Sequence, residues 1–163
     1  MDEDLAETPT HDTGSIETDD PAIDPTPDFE PLFEHRVRFA ETDMQGVVFY
    51  GEYFTFQDEA VSEFFRQLEH SHDEQVKDGW QVHVVNASLD YRDTSTFGDV
   101  LTNELRVAEI GTSSLTFDHR VVREDGTVVA EGTVTHVAVD VETERPTPIP
   151  DAFREAVAAF QNG

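Results

Sequence analysis

The chain has 163 residues, no cysteine, and 36 aspartates and glutamates against 10 lysines and arginines, which gives a formal net charge of −26. This length suits one domain with a tail, and the lack of cysteine excludes disulfides, cysteine-ligated zinc and a thiol nucleophile. The charge argues against binding to nucleic acid or to an anionic membrane, because the phosphates would be repelled.

Residues 1–30 are predicted to be a disordered acidic tail. They contain eleven acidic residues and no lysine or arginine, and they have too few large apolar side chains to offset the entropy of ordering. The tail lacks the positive and apolar regions of a secretory signal, and no later segment is apolar enough to span a membrane. A cytoplasmic location is therefore expected.

The acidic composition is not confined to this tail. Removing its eleven charges from −26 leaves −15 on the remaining residues. A composition that is acidic and poor in lysine resembles that of proteins from salt-saturated cytoplasm, where salt screens the repulsion between surface charges.

Residues 31–163 are predicted to form one α+β domain. Alternating apolar residues predict a strand over 33–39, and apolar residues at three- and four-residue steps predict an amphipathic helix over 52–69. The polar stretch 70–79 is predicted to be a loop. Four strands should follow at 81–91, 99–109, 114–123 and 127–141, and Asp125-Gly126 predicts a hairpin between the last two. Asp151 is expected to cap a short helix that ends near Phe160.

This order of elements predicts an antiparallel β-sheet wrapped around one long central helix, with a short C-terminal helix. One exposed sheet face, rich in valine, threonine and leucine, is expected to suit a partner subunit.

The turn before the long helix carries two carboxylates, Glu41 and Asp43. Asp43 lies beside the apolar residues Met44, Val47 and Val48, and partial desolvation would make its carboxylate a stronger base. The free N–H groups at the start of the helix stabilise negative charge, including an oxyanion. These are the components of an acyl-transfer site, although spacing alone favours a turn that merely caps the helix.

Residues 38–53 resemble the signature of hotdog-fold acyl-CoA thioesterases of the 4-hydroxybenzoyl-CoA thioesterase and YbgC-like group. The family pattern is Asp-x-x-Gly, an aliphatic pair, aromatic residues and then the central helix, and this chain reads Asp-Met-Gln-Gly-Val-Val-Phe-Tyr from Asp43. The resemblance covers about residues 32–156. It implies the hotdog fold and hydrolysis of an acyl- or aroyl-CoA, with no metal and no cofactor beyond the CoA of the substrate. It also implies a homodimer, often paired into a homotetramer.

The resemblance assigns roles to individual residues. Asp43 matches the catalytic aspartate, and its role as nucleophile or as general base is left open. The backbone N–H near Tyr50 matches the group that polarises the thioester carbonyl, Gly46 lets the turn close tightly, and Asp58 supports the site from the helix. The residues expected to contact the substrate are Val47, Val48, Tyr53, Thr112, Ser113 and Ser114, the last three near the pantetheine or phosphate part of CoA.

Some features leave alternatives open. Tyr50 stands where many YbgC-like members have histidine, so the substrate class is undecided. Glu59 is a nominal candidate for the branch that uses a helix carboxylate, and Val48 replaces the histidine that hotdog hydratases need. A non-catalytic hotdog module, which binds an acyl thioester or mediates assembly, is the second interpretation, because one fold hosts both functions.

Other polar clusters are weaker candidates. A solvated loop explains His70, His72, Asp73 and Glu74 better than a metal site does, and the serines at 113 and 114 lack the context of a hydrolase elbow. CoA is polyanionic, so its phosphates must find local cations, and affinity for CoA is expected to rise with screening salt. The arginines expected to serve are Arg92, Arg106, Arg120, Arg123 and Arg145.

Overall fold

The computed structural model describes residues 27–162. The predicted disordered tail therefore lies, up to residue 26, outside the described residues. In chain order the elements are β1 (Glu30–Arg36), a 3-10 turn (Phe39–Glu41), α1 (Glu52–Gln67), α2 (His72–Lys77), β2 (Trp80–Tyr91), β3 (Val100–Ile110), β4 (Ser114–Arg123), β5 (Val128–Asp140) and α3 (Asp151–Asn162).

The five strands form one antiparallel sheet in the order β1-β3-β4-β5-β2. The sheet encloses α1, whose apolar side chains pack against β3, β4 and β5, and α3 covers the far end of the same face. This is the predicted hotdog architecture of a sheet wrapped around one long helix, and both the long helix and the C-terminal helix are confirmed.

The predicted loop at 70–79 was wrong, because it contains α2. This helix is too short to show an apolar repeat, and two acidic residues lie in its first turn, where the helix dipole favours them. Buried Gln75 fastens it, since its Nε2 donates a hydrogen bond to the carbonyl oxygen of His70 at 2.9 Å. The first strand also begins and ends three residues earlier than predicted, because the chain turns at residues 39–41.

The core under α1 is divided into two clusters. The larger one surrounds Phe64, whose ring centroid lies 5.0 Å from that of Phe117 on β4. The smaller one contains Tyr53 and Phe56 at the start of α1, together with residues from β3, β4 and β5. Burying both halves of the apolar stripe fixes α1 along its whole length, so the position of its first turn is set by the sheet.

The face of the sheet that points away from α1 is more polar than expected. The leucines at 101, 105 and 115 all point into the core, whereas this outer face carries ion pairs between Arg106 and Asp118 and between Arg120 and Glu104. The ring of Phe29 lies over both arginines, 4.2 Å from each guanidinium carbon. Threonines and charges, rather than leucines, therefore dominate this face.

In the part of the chain that the structure describes, no helix combines the length and the apolar character needed to cross a membrane.

Two buried histidines interrupt the apolar core. His119 is fully buried and its Nε2 lies 3.1 Å from Oδ1 of Asn103, while His136 packs against Phe117 and Phe65. Burial lowers the pKa of His119 to about 3 and that of His136 to about 4. Both rings are therefore neutral in the folded protein near neutral pH.

These histidines predict a loss of stability in acid. Below pH 6.5 the unfolded chain gains protons that the folded protein cannot bind, so stability falls by about 1.4 kcal/mol per pH unit for each histidine. Replacing His136 with leucine should lower this slope between pH 6 and 5 by the share of one histidine, about 1.4 kcal/mol per pH unit. Urea unfolding in molar KCl, which screens surface repulsion, measures the slope.

The matched control is His72→Leu, which removes an exposed histidine from α2. It should keep the full slope. An equal slope in His136→Leu and in the unmodified protein would contradict the assignment of this acid sensitivity to the core.

Candidate active site

The turn that carries Asp43 is closed by its own hydrogen bonds. The N–H of Asp43 donates to the carbonyl oxygen of Val47 at 2.8 Å, and the N–H of Gly46 donates to the carbonyl oxygen of Asp43 at 3.0 Å. Gly46 has φ of +78°, in the left-handed region that glycine adopts without steric cost. Gly46 therefore closes this turn in a backbone conformation that other residues rarely adopt.

The carboxylate of Asp43 is half-buried. Its Oδ1 accepts a hydrogen bond from the N–H of Gln45 at 2.8 Å, which orients the side chain. Its Oδ2 accepts no hydrogen bond from the described residues. One oxygen is thus fixed by the turn while the other stays available to a substrate or a water molecule.

Two further segments hold this turn in place. The N–H of Val48 donates to the carbonyl oxygen of Ser95 at 2.8 Å, and the N–H of Phe49 donates to the carbonyl oxygen of Glu41 at 2.9 Å. Glu41 is itself buried, and its Oε1 accepts a hydrogen bond from the N–H of Arg38. The two arms of the turn, residues 41–43 and 47–49, are therefore hydrogen-bonded to each other, which keeps Asp43 close to the start of α1.

The start of α1 leaves backbone donors unpaired. Gly51 is the N-cap residue and supplies no side-chain cap. The N–H groups of Tyr50 and Gly51 donate no hydrogen bond to any described residue. Free N–H groups at a helix start carry partial positive charge and are suited to binding a carbonyl oxygen as it becomes negative.

An aromatic cluster lines the same region. The ring of Tyr91, at the end of β2, meets those of Tyr50 and Tyr53 edge-on at centroid distances of 6.4 Å and 5.6 Å. The hydroxyl of Tyr91 donates a hydrogen bond to the carbonyl oxygen of Tyr50 at 3.0 Å. Burial raises the pKa of Tyr91 and of Tyr53, so both phenols are protonated at neutral pH.

The structure brings six of the predicted site residues together. They lie in the Asp43 turn or at the start of α1, and they are Asp43, Gly46, Val47, Val48, Tyr50 and Tyr53. Val48 and Tyr53 are buried, Val47 is half-buried and Tyr50 is 64% exposed. Asp58 lies further along α1, where its side chain is exposed and forms no hydrogen bond with a described residue. Glu59, next to it, is also exposed.

Thr112, Ser113 and Ser114 are not part of this cluster within one chain. The turn between β3 and β4 lies at the opposite end of the sheet from the loop after β1, separated by the length of β3, roughly 33 Å at 3.3 Å per residue. Arg154 of α3 fastens this turn by donating hydrogen bonds to the carbonyl oxygens of Gly111 and Thr112.

Most of the arginines expected to serve CoA already have partners. Arg92, Arg106, Arg120 and Arg123 each form an ion pair with a carboxylate at 2.9–3.2 Å. Arg145 forms no ion pair with a described residue. Each paired guanidinium must share or exchange its carboxylate before it can bind a phosphate.

Two arginines at the end of β1 and in the loop after it were not among these candidates. Arg36 donates to the carbonyl oxygen of Gly98 at 2.8 Å, and Arg38 pairs with Glu41 while 80% of its side chain is exposed. Tyr91 and Ser95 were missed as well, because both contact the site through pairings distant in sequence. The sequence indicated these residues only indirectly, because β1 and β2 end where the loops that form the site begin.

Within residues 27–162, no group of three or more histidines and carboxylates is arranged to hold a metal ion.

The sheet, the enclosed helix and the aspartate turn at the helix start define a hotdog protein with a carboxylate site. Residues 37–157 match the thioesterase-like superfamily. This match covers most of the chain, and the chain belongs to that family.

Individual relatives agree with this membership. The chain is 28% identical to the acyl-CoA thioesterase YbgC of Haemophilus influenzae over 131 residues, which are 80% of this chain and 93% of the relative. It is 25% identical to the 1,4-dihydroxy-2-naphthoyl-CoA hydrolase of Synechococcus elongatus over 125 residues, 76% of this chain and 91% of the relative.

A solved structure shows the same fold. The protein SAV2348 of Staphylococcus aureus, solved in complex with CoA, superposes with a TM-score of 0.78 at 18% identity, covering 84% of this chain and 86% of that one.

Proposed function

We propose that this protein is a thioesterase that hydrolyses an acyl- or aroyl-CoA to the free acid and CoA. The observation that carries the proposal is the paired turn, which holds the half-buried carboxylate of Asp43 beside the unpaired N–H groups at the start of α1. Relatives that span most of this chain are named for acyl-CoA and aroyl-CoA hydrolysis, which supports the same chemistry.

In this proposal the thioester oxygen accepts hydrogen bonds from the N–H groups of Tyr50 or Gly51. Attack on the carbonyl carbon places negative charge on that oxygen, and a donor that binds the oxyanion is worth about 3 kcal/mol. Because the donors are part of the backbone at a fixed helix start, they need little reorganisation during the reaction.

Asp43 supplies the nucleophilic part of the reaction in one of two ways. As a general base it takes a proton from water while the water oxygen bonds to the carbonyl carbon. As a nucleophile its carboxylate bonds to that carbon first, and water then hydrolyses the anhydride. In either case the carbon–sulfur bond breaks, and the thiolate of CoA leaves and takes up a proton. The free Oδ2 of Asp43 is compatible with both.

The assembly proposed for this enzyme is a homodimer through the edge of β2, which can pair again into a tetramer. Residues 83–88 of this outermost strand are all exposed, and Val84 and Val85 are 51% and 60% exposed. A long edge strand with apolar side chains and unpaired backbone groups is stabilised by a second strand. Catalysis is proposed to take place in the cytoplasm, at high salt.

The substitution Asp43→Asn tests the catalytic proposal. It keeps the shape of the side chain and removes its basicity, so turnover should fall by at least about 10²-fold. Thiol release from a panel of acyl- and aroyl-CoAs in molar KCl measures this. Asp73→Asn on α2 makes the same chemical change at an exposed position and should keep full activity. An unchanged rate in Asp43→Asn would contradict the assignment of Asp43, and binding of acyl-CoA without turnover by the unmodified protein would favour a binding module.

The oligomeric state tests the assembly. Sedimentation equilibrium in molar KCl should give a mass of two chains or more, and Val85→Arg should shift it towards one chain because it places a charge on the apolar edge. Glu34→Arg, on the opposite edge strand β1, is the control and should leave the dimer intact. A monomer for the unmodified protein would contradict the proposal.

Affinity for CoA should depend on salt in an unusual direction. The negative field of the protein repels the phosphates of CoA, and screening that field should lower the dissociation constant between low and molar KCl. Calorimetric titration with CoA measures this while the far-ultraviolet circular dichroism confirms the fold. Uncharged pantetheine should show a smaller change, and weaker CoA binding at high salt would refute the expectation.

A further inference from the structure

The side chain of Tyr91 connects the sheet to the backbone at the start of α1. Tyr91 is the last residue of β2 and pairs with Ala130 of β5, so the sheet fixes its backbone. Its hydroxyl donates to the carbonyl oxygen of Tyr50, 41 residues earlier in the chain, at 3.0 Å. Edge-on packing of its ring on Tyr53, at 5.6 Å between centroids, sets the direction of the hydroxyl.

The carbonyl that Tyr91 binds belongs to the same peptide group as the N–H of Gly51. A trans peptide group is planar, and its C=O and N–H point in opposite directions. Fixing the carbonyl of Tyr50 from one side therefore fixes the direction in which the N–H of Gly51 points on the other side. This N–H is one of the unpaired donors at the start of α1.

The carbonyl of Tyr50 accepts no other hydrogen bond from a described residue, although the turn around it is closed by the N–H of Glu52, which donates to the carbonyl oxygen of Phe49 at 2.9 Å. Gly51 has no side chain, and α1 has no side-chain cap at this residue. A Cβ at Gly51 would lie 2.8 Å from Cε1 of Phe49, so a larger residue here would require the ring of Phe49, which is 44% exposed, to move. Glycine also has the greatest rotational freedom of any residue, which makes an external restraint on this amide more consequential.

The same hydrogen bond strengthens the donor. A carbonyl that accepts a hydrogen bond polarises its peptide group, and the N–H at the other end becomes a better donor. A phenol is protonated, and therefore able to donate, throughout the neutral range. Orientation and polarisation both act on the N–H that would face a developing oxyanion.

We propose that Tyr91 is a positioning residue, which orients and polarises the Gly51 N–H as an oxyanion donor through its hydrogen bond to the carbonyl of Tyr50. This inference rests on the proposed thioesterase function. It states that one side chain of β2 holds the backbone at the start of α1 in the orientation that the reaction needs. Because the oxyanion exists only in the transition state, the interaction contributes to kcat rather than to substrate binding.

The substitution Tyr91→Phe tests this, because it keeps the ring and removes only the hydroxyl. We expect kcat to fall about tenfold with KM within twofold of the unmodified enzyme. Thr116→Val is the matched control: it removes a hydroxyl that lies 2.9 Å from the hydroxyl of Thr135, elsewhere in the same sheet, and should change neither constant. An unchanged kcat in Tyr91→Phe, or an equal loss in the control, would overturn the proposal.

A second measurement does not depend on activity. In the ¹H–¹⁵N spectrum of the full chain, the chemical shift of the Gly51 amide should change in Tyr91→Phe and should stay unchanged in Thr116→Val. If the unmodified protein hydrolyses no acyl-CoA but this amide responds, the proposed function fails while the positioning contact stands. If the amide does not respond, the positioning role is overturned whatever the activity.

Discussion

The pairing of the two arms of the Asp43 turn is the constraint on which the rest of the site depends. The hydrogen bond from Phe49 to Glu41 and that from Val48 to Ser95 attach the turn both to itself and to the loop after β2. Because α1 follows directly and is held by two core clusters, the same contacts determine where its unpaired N–H groups lie. Loss of either hydrogen bond would let the carboxylate of Asp43 move away from the start of α1, although both groups would still be present in the chain.

The parts of this arrangement that are local in sequence could be predicted. The apolar repeat of 52–69 predicted α1, a turn was predicted directly before it, and the family resemblance assigned the tight closure of that turn to Gly46. Contacts made across the sheet could not be predicted in the same way. Tyr91 meets Tyr50, and Ser95 meets Val48, only because five strands stand in the order β1-β3-β4-β5-β2, and a periodicity does not specify strand order. The missed helix α2 is six residues long, which is too short for an apolar repeat to appear.

The cations of this acidic chain are used mainly to neutralise its own surface. Arg106 and Arg120 each form an ion pair with a carboxylate, and the ring of Phe29 packs against both guanidinium groups. Arg123 forms ion pairs with both Asp93 and Asp125. Exposed pairs of this kind contribute little stability individually. Their consequence for function is larger, because guanidinium groups that are engaged with carboxylates are not free to bind an anionic substrate. Arg38, whose side chain is 80% exposed, is a more accessible cation than those on the sheet.

The buried histidines give this protein two responses to acid that oppose each other. Acidification towards the isoelectric point of about 4.2 removes surface charge and so relieves repulsion within the folded protein. The same acidification penalises His119 and His136, which must stay neutral as long as the core is packed. Salt distinguishes the two effects, because it screens charges at the surface but does not reach a ring enclosed by Phe117 and its neighbours. A saline environment would therefore remove the favourable response and leave the unfavourable one, so the core, and not the acidic surface, sets the lower pH limit of the fold.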